Sequence, residues 1–474
     1  MFPCGWRSRW ALKRLTVSVE PNSSKSADGL ERHVVCSELV NRITKLQRRH
    51  RVVIVGAGFG GLAAAKALRS LAVEVVLVDE RNHHTFQPLL YQVATAGLDA
   101  DDVTYATRGI FHRQRNATVV IGSVTGVDFD ERLVDLDDGR RLAYDHLILA
   151  PGAVTHTFGV PGVAEHAFGL KSVRDAVEIR SHVLACVERA DGDPLRIEDG
   201  LLNIVVVGGG PTGVELAGGL AELFSRVLRR DFPGIDLRQA RIVLVEATDR
   251  VLRTFDPKLS RRATRSLERL GVEVVLGTAV REVAAHHIDL GDAGRIPCRT
   301  TIWAAGVTPA PLVERLGLER GPGGRIVVGP DLTVPGRSEV FAIGDAAASL
   351  AADGAVLPQV APVAIQGARH VAAVVEAHLR AEAPPPFRYV DKGSMATIGR
   401  LSAVAELPGG RRLSGPPGWI AWLALHLVML VGFRNRLNVL TNWAWNYLTY
   451  DRASRIVIDP PGEVLRNRGE ERRR

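Results

Sequence analysis

Arg51-Val52-Val53-Ile54-Val55-Gly56-Ala57-Gly58-Phe59-Gly60-Gly61 is the stretch on which the fold turns. Val52, Val53, Ile54 and Val55 form an uninterrupted β-branched run, the pattern of a strand buried on both faces in a parallel sheet. A G-x-G-x-x-G loop follows at once, with Gly56, Gly58 and Gly61 in the glycine positions. Residues 62–70 are rich in Ala and Leu and read as a helix. A second apolar strand over 73–78 ends in Asp79-Glu80. Strand, glycine loop, helix and strand make a βαβ unit. In such a loop the first glycine allows the tight turn, the second lets the backbone approach a pyrophosphate, and the third lets helix and strand pack closely. The helix N-terminus adds free N–H groups and a partial positive charge. Asp79 stands 18 positions after Gly61, where a carboxylate accepts from a ribose hydroxyl. A tight turn that binds nothing is the plainer alternative, and it does not account for that acid.

A second copy begins at Ile204-Val205-Val206-Val207. Its loop is Gly208-Gly209-Gly210-Pro211-Thr212-Gly213, its helix is expected over 214–228, and its next strand over 241–245 ends in Glu246. Leu147-Ile148-Leu149-Ala150-Pro151-Gly152 closes a strand between the two copies. Thr300-Thr301-Ile302-Trp303-Ala304-Ala305-Gly306 closes one after them in the same manner, which adds Gly306 to the cofactor-binding candidates. Two dinucleotide loops imply two dinucleotides, and FAD with NAD(P)H is the economical pair, with the flavin as relay for the hydride. Glu246 suits a ribose 2′-hydroxyl and repels a 2′-phosphate, which favours NADH; Arg250 nearby is the residue that would suit NADPH. Val340-Phe341-Ala342-Ile343-Gly344-Asp345 ends another strand, so that Gly344 and Asp345 would face a flavin ribityl chain. A helix N-cap is the other reading of Asp345.

The chain has 474 residues, of which 46% are apolar and 24% charged. That excludes a disordered, collagen-like or polytopic membrane protein. Net charge is +8, unevenly spread: residues 1–50 and 411–474 each carry +6, which leaves −4 between them. Basic ends suit anionic lipid. Residues 1–50 have no sustained periodicity and read as an extension without assigned function. The four cysteines show no C-x-x-C spacing, so neither a disulfide scaffold nor a metal site is expected. The helix after the first loop has no cysteine, so flavin electrons would leave to a diffusible acceptor rather than to a redox disulfide. Cys186 and Cys298 are expected to be buried and inert.

The loops Gly56–Gly61 and Gly208–Gly213, with Ala150-Pro151-Gly152 and Gly344-Asp345, resemble the two-dinucleotide-domain flavoprotein reductases. Within that group Asn82-His83-His84-Thr85-Phe86-Gln87-Pro88-Leu89-Leu90-Tyr91-Gln92-Val93-Ala94-Thr95 is similar to the type II, non-proton-pumping NADH:quinone oxidoreductases. So are Pro211-Thr212-Gly213-Val214-Glu215-Leu216-Ala217-Gly218, Lys392-Gly393-Ser394-Met395-Ala396-Thr397-Ile398-Gly399-Arg400 and Asn442-Trp443-Ala444-Trp445-Asn446-Tyr447. The resemblance covers about 51–455. It implies FAD under the first loop, bound by Gly56, Gly58, Gly61, Asp79 and Asp345, and NADH under the second, bound by Gly208, Gly210, Gly213 and Glu246. It implies Glu215 and Gln366 as catalytic groups, Glu215 near the nicotinamide–flavin–quinone junction. An acid favoured by the dipole of the first helical turn is the structural alternative for Glu215. One departure stands out: the family has two glutamines four apart, and here the first position is Pro362.

The expected fold is therefore α/β. Two Rossmann-like domains, the FAD domain (51–170 and 321–410) split by an inserted NADH domain (171–320), precede a C-terminal amphipathic membrane-associated segment (411–455) and a basic tail (456–474). Pro416-Pro417-Gly418 is expected to break the chain before the apolar run 419–433, which is too short to span a bilayer. Leu437, Leu440, Ala444, Tyr447 and Leu448 follow at helical spacing, with Trp443, Trp445, Arg434, Arg436 and Arg452 placed as interfacial residues. The expected partners are NADH, a menaquinone or ubiquinone, a membrane surface at the cytoplasmic face and a second copy of the chain, with no nucleic acid. Three other readings stay open: a reductase serving a protein such as a ferredoxin, a reductase of a non-respiratory quinone, and an NADH-responsive redox sensor.

Overall fold

Residues 49–449, 451–452 and 454–457 are described in the computed structural model of the chain. The sequence readings on the N-terminal extension, Cys4, Cys36 and most of the basic tail fall outside these residues. β1 (His50–Val55) runs through the glycine loop into α1 (Phe59–Ala67), and β2 (Val73–Asp79) returns parallel to β1, with Val52 opposite Val75. After the short helix α2 (Leu90–Ala94), β3 (Ala117–Ile121) and β4 (His146–Leu149) join the same sheet. A second sheet then takes over. It holds β5 (Ala167–Phe168), β6 (Ile204–Val207), β7 (Ile242–Val245), β8 (Val272–Val275) and β9 (Thr300–Trp303). Helix α3 (Val173–Gly192) precedes β6, and α4 (Pro211–Glu222) follows its loop. The chain returns to the first sheet with β10 (Thr333–Val334) and β11 (Arg337–Ala342), then forms α5 (Ala361–Leu379).

The strand orders are β10-β11-β4-β1-β2-β3 and β5-β9-β6-β7-β8. The second sheet is thus an insertion that splits the first. In each sheet the strand feeding the glycine loop is interior, with its sequel on one side and a later strand on the other. That is the switch point where open α/β sheets bind ligands. Val52, Val53, Ile54, Val205 and Val206 are fully buried, as strands covered on both faces must be. Each large aliphatic side chain so placed contributes roughly 1.5–3 kcal/mol.

The second loop's helix starts at Pro211, earlier than the expected 214, because proline is favoured in a first helical turn where no N–H partner is needed. Its end is a π-helical turn over Leu223–Leu228. The stretch 392–406 is a hairpin, β12 (Ser394–Gly399) and β13 (Ser402–Leu407), completed by β14 (Arg411–Ser414). Pro416-Pro417-Gly418 does not break the chain. The two prolines open α6 (Pro416–Met429), for the reason that applies at Pro211. Residues 430–432 turn the chain into α7 (Phe433–Thr449). Arg436 closes that turn by donating from Nε to the carbonyl of Leu430 and from Nη2 to that of Val428. No helix among the described residues is long and apolar enough to cross a membrane.

α7 is amphipathic in the reverse sense to an ordinary surface helix. Its protein-facing side carries three asparagines beside the buried Val439 and Trp443. Asn435 Nδ2 donates to the carbonyls of Asp101, Asp102 and Thr104, Asn442 Nδ2 to the Asp102 carboxylate, and Asn446 Nδ2 to the Gly97 carbonyl. Leu437, Leu440, Ala444 and Leu448 face outward, Leu448 at 81% exposure. Tyr447 departs from the expected stripe: it is half-buried and packs edge-on against Trp419. Trp443 and Arg452, expected at an interface, are inside. Trp443 is 4% exposed and donates to Gln92, while Arg452 donates to the Thr95 carbonyl and to Glu222. Trp445 is exposed as expected.

Asn435→Ala should leave three carbonyls short of a donor, a cost of about 1–3 kcal/mol if they stay dry. Hydrogen exchange should then speed up in 433–449 while β1 and β6 keep their protection; unchanged exchange in α7 would contradict this account of its docking.

Candidate active site

The two glycine loops are built alike to within details. Gly56 has φ +99° and Gly208 has φ +107°, a region that side chains strain to enter. A Cβ on Gly56 would meet the Ala150 carbonyl oxygen at 2.2 Å, and one on Gly208 would meet Ala305 Cα at 2.6 Å. The third glycines pack on their own loops: a Cβ on Gly61 would lie 1.7 Å from the Gly56 oxygen, and on Gly213 1.9 Å from the Gly208 oxygen. Around the second glycines, Gly58 and Gly210, the space within 4 Å is open. The acids match as well. Asp79 accepts from Ala57 N–H at 2.6 Å and from Arg81 N–H at 2.8 Å. Glu246 accepts from Gly209 N–H at 2.5 Å and from Thr248 N–H at 2.8 Å. Each acid therefore holds the residue after the first glycine and its own second neighbour. Burial pushes the Asp79 carboxyl above its ordinary range, against the pull of those two N–H groups.

Glu215 lies in the second turn of α4 rather than the first, so the helix dipole does not explain it. It is 8% exposed. Its Oε1 accepts from Thr397 N–H of β12 at 3.2 Å and from Trp422 Nε1–H of α6 at 3.1 Å. Burial raises its carboxyl to about 8, and these two donors oppose the rise. Tyr91 of α2 stands edge-on to Trp422, and burial holds its phenol well above its usual range. Trp422 also stacks on His426, with ring centroids 4.0 Å apart. Desolvation pushes His426 down to about 4, so the imidazole is neutral at physiological pH. A cavity of about 630 Å³, counted with its open mouth, reaches Glu215 and is lined also by Tyr91, Gln92, Thr397, Trp443 and Arg452.

Gly344 and Asp345 follow the C-terminal end of β11, at the same end of the first sheet's parallel strands as Gly56. Asp345 sits inside a 3-10 turn whose N-cap is Ile343, so the N-cap reading fails. Burial raises its carboxyl, while Lys171 and Arg325 pull it back. Gln366 on α5 is tied to the main chain of Val390, donating to its carbonyl and accepting from its N–H. Gln366 and Glu215 share no hydrogen-bond partner. Pro362 occupies the first turn of α5, where a missing N–H costs nothing. Gly306 lies beneath the exposed ring of Phe158: a Cβ there would be 2.7 Å from Phe158 Cζ. Cys186 and Cys298 are buried, with Sγ 3.6 Å from His182 Nε2 and 3.6 Å from Thr301 Oγ1 respectively. The sequence reading missed Trp422, His426, Lys171 and Gln359, whose Nε2 donates to the Asp345 carbonyl. Trp422 lies in an apolar run with no spacing signal to mark it as the partner of a distant acid.

Residues 50–368 match the pyridine nucleotide-disulphide oxidoreductase family, and residues 392–450 match the NDH2 C-terminal domain. The type II NADH:quinone oxidoreductase Ndh of Mycobacterium tuberculosis is 42% identical over 87% of this chain and 91% of its own. The chain belongs to the type II NADH:quinone oxidoreductase family. The demethylphylloquinone reductase NdbB of Synechocystis is 30% identical over 83% of the chain and 96% of its own. The structure of NDH2 from Plasmodium falciparum in complex with NADH superposes with a TM-score of 0.79, over 87% of this chain and 100% of that one, at 21% identity.

As in other type II oxidoreductases, the cofactor is FAD and the co-substrate NADH, and the residues of this chain fit both. The open space at Gly58 and Gly210 leaves room for a pyrophosphate to approach the backbone, and a Cβ would take up that room. We propose that FAD binds at the loop of Gly56, Gly58 and Gly61, with Asp79 and Asp345, and NADH at the loop of Gly208, Gly210 and Gly213, with Glu246 and Gly306. Gly213→Ala should accordingly keep the flavin spectrum and its bleaching by dithionite, yet slow bleaching by NADH about tenfold or more, a loss of roughly 1.4 kcal/mol or greater. Loss of flavin from this variant would overturn the division of labour between the loops.

Proposed function

We propose that this chain oxidises NADH and reduces a quinone, drawing the quinone from a lipid surface at the cytoplasmic face, where NADH is available. The observation that carries the reading is Glu215, a carboxyl buried at the meeting of α2, α4, β12 and α6, on a fold that holds two dinucleotide loops. FAD, held by the loop of Gly56, Gly58 and Gly61 with Asp79 and Asp345, would supply the hydride relay between NADH and the quinone. The net reaction, NADH with quinone and one proton giving NAD⁺ and quinol, requires that proton from the protein or from water. Glu215 at about 8 is mostly protonated at neutral pH and is the group placed to give it. The cavity beside it opens outward, so water can restore the proton.

The lipid surface is inferred from α6 and α7. Ile420, Val428, Phe433, Leu437 and Leu448 are all more than half exposed, with Trp445 beside them. Apolar side chains with tryptophan on helices too short to span suit the interface of a bilayer. A second copy of the chain is the other occupant such a face suits, and we expect a homodimer whose interface leaves part of it to lipid.

Anaerobic reduction with one equivalent of NADH should bleach the flavin, and a quinone analogue should restore it within about a second, given ordinary turnover of 1–10³ s⁻¹. Bleaching without recovery would leave the protein-acceptor or sensor readings instead. In the recovery step the rate should be level at acid and neutral pH and fall as pH rises through about 8, since a proton donor is lost there. Glu215→Gln should abolish that fall and lower the rate. Leu437→Asp with Leu448→Asp should stop flotation with vesicles while leaving flavin reduction by NADH intact; flotation undiminished by both would count against the lipid-facing assignment.

A further inference from the structure

Both hydrogen bonds to Glu215 fall on the same oxygen. Oε1 accepts from Thr397 N–H and Trp422 Nε1–H, and Oε2 has no hydrogen-bond partner among the described residues. A protonated carboxyl has one carbonyl oxygen, which only accepts, and one hydroxyl, which donates. Two donors aimed at Oε1 make it the carbonyl oxygen. The hydroxyl is then Oε2, in the residue that lines the cavity. Thr397 contributes through its backbone, but Trp422 contributes through a side chain held rigidly: it is 1% exposed, stacked on His426, and edge-on to Tyr91.

We propose that Trp422 is the positioning residue of Glu215: its indole N–H fixes Oε1 as the acceptor and so puts the transferable proton on Oε2. The proposal rests on the reading of Glu215 as the proton donor. In the transfer the quinone takes up the electron pair and the hydrogen that NADH supplied, the Oε2–H bond breaks to give its other oxygen a proton, and a proton from bulk solvent restores Oε2. The groups around Glu215 leave Trp422 this task. From α2 come Tyr91 and Gln92, from β12 the Thr397 N–H, from α6 Trp422 and neutral His426, and from α7 Trp443 and Tyr447. Glu222 further along α4 is engaged by Arg400 N–H and by Arg452. Among the described residues no cation bonds to Glu215, so its ionised form depends on the same two donors as its orientation.

The experiment compares the holoenzyme with Trp422→Phe, with a variant carrying 3-benzothienylalanine at position 422 (the same ring shape with sulfur in place of N–H), and with Glu215→Gln. Infrared difference spectra against Glu215→Gln isolate the carboxyl C=O band of Glu215. Without the indole donor that band should move to higher wavenumber. A hydrogen bond to a charged group is worth about 1.5–3 kcal/mol, so the alkaline fall of quinone-dependent flavin recovery should move up by about one to two pH units. Flavin reduction by NADH should not change. If Trp422→Phe fails to fold, the isosteric variant decides alone. An unmoved C=O band together with an unmoved alkaline fall would overturn the proposal and leave Trp422 as packing only. If Glu215→Gln itself keeps the full rate and the alkaline fall, the proton-donor reading of Glu215 fails, and the C=O band still reports whether Trp422 orients the carboxyl.

Discussion

A carboxyl group taken out of water without a counter-cation is costly to ionise, and the centre of this molecule is organised around one in that condition. Glu215 meets two N–H donors and no positive charge, so burial dominates and the acid form prevails at neutral pH. Keeping it buried needs four elements from distant parts of the chain: α2 from the first sheet's region, α4 from the second, β12 from the hairpin and α6 from the C-terminal segment. If any of these withdrew, water would reach the carboxyl and it would behave as an ordinary glutamate. The two sheets and the C-terminal helices are thus coupled through the solvation of a single side chain.

The second organising feature is a repeated device. Asp79 and Glu246 end equivalent strands, and each ties the residue after the first glycine to the residue two places beyond the acid. A carboxylate that already accepts two backbone N–H groups is orientated before any ribose arrives. It still has acceptor capacity, since two oxygens offer about four sites. That the two loops use the same anchor with acids of different length follows from the backbone geometry they share, with positive φ at the first glycine and contact between the third and the first.

Much of this was legible in the sequence, because a strand–glycine loop–helix unit is a local pattern whose residue types follow from local sterics. The runs at 52–55 and 204–207, both acids, and the return of the chain at 340–345 could be read for that reason. The C-terminal segment was read less well, since its elements depend on what they face. Pro416 looked like a breaker because proline disrupts a helix interior, yet it also starts helices. Leu437, Leu440 and Leu448 marked a helix and its outward stripe, but not what docks its other side. The asparagines at 435, 442 and 446 decide that, through four backbone carbonyls and the Asp102 carboxylate, all 331 or more residues earlier. Trp443 and Arg452 suit an interface by composition and were recruited inward by Gln92 and Glu222. Trp422 carried no signal, since its partner is 207 positions away.

The asparagine face of α7 has a consequence for whatever covers its other side. Apart from the Asn442 amide on the Asp102 carboxylate, the side-chain amides that dock α7 bond to uncharged carbonyls. The helix is already ordered when its apolar face meets a partner, and no folding entropy has to be supplied at that moment. A surface of this kind binds as a rigid plate, in contrast to segments that become helical only on contact. It should come and go from its partner without disturbing Trp443 or the cavity behind it.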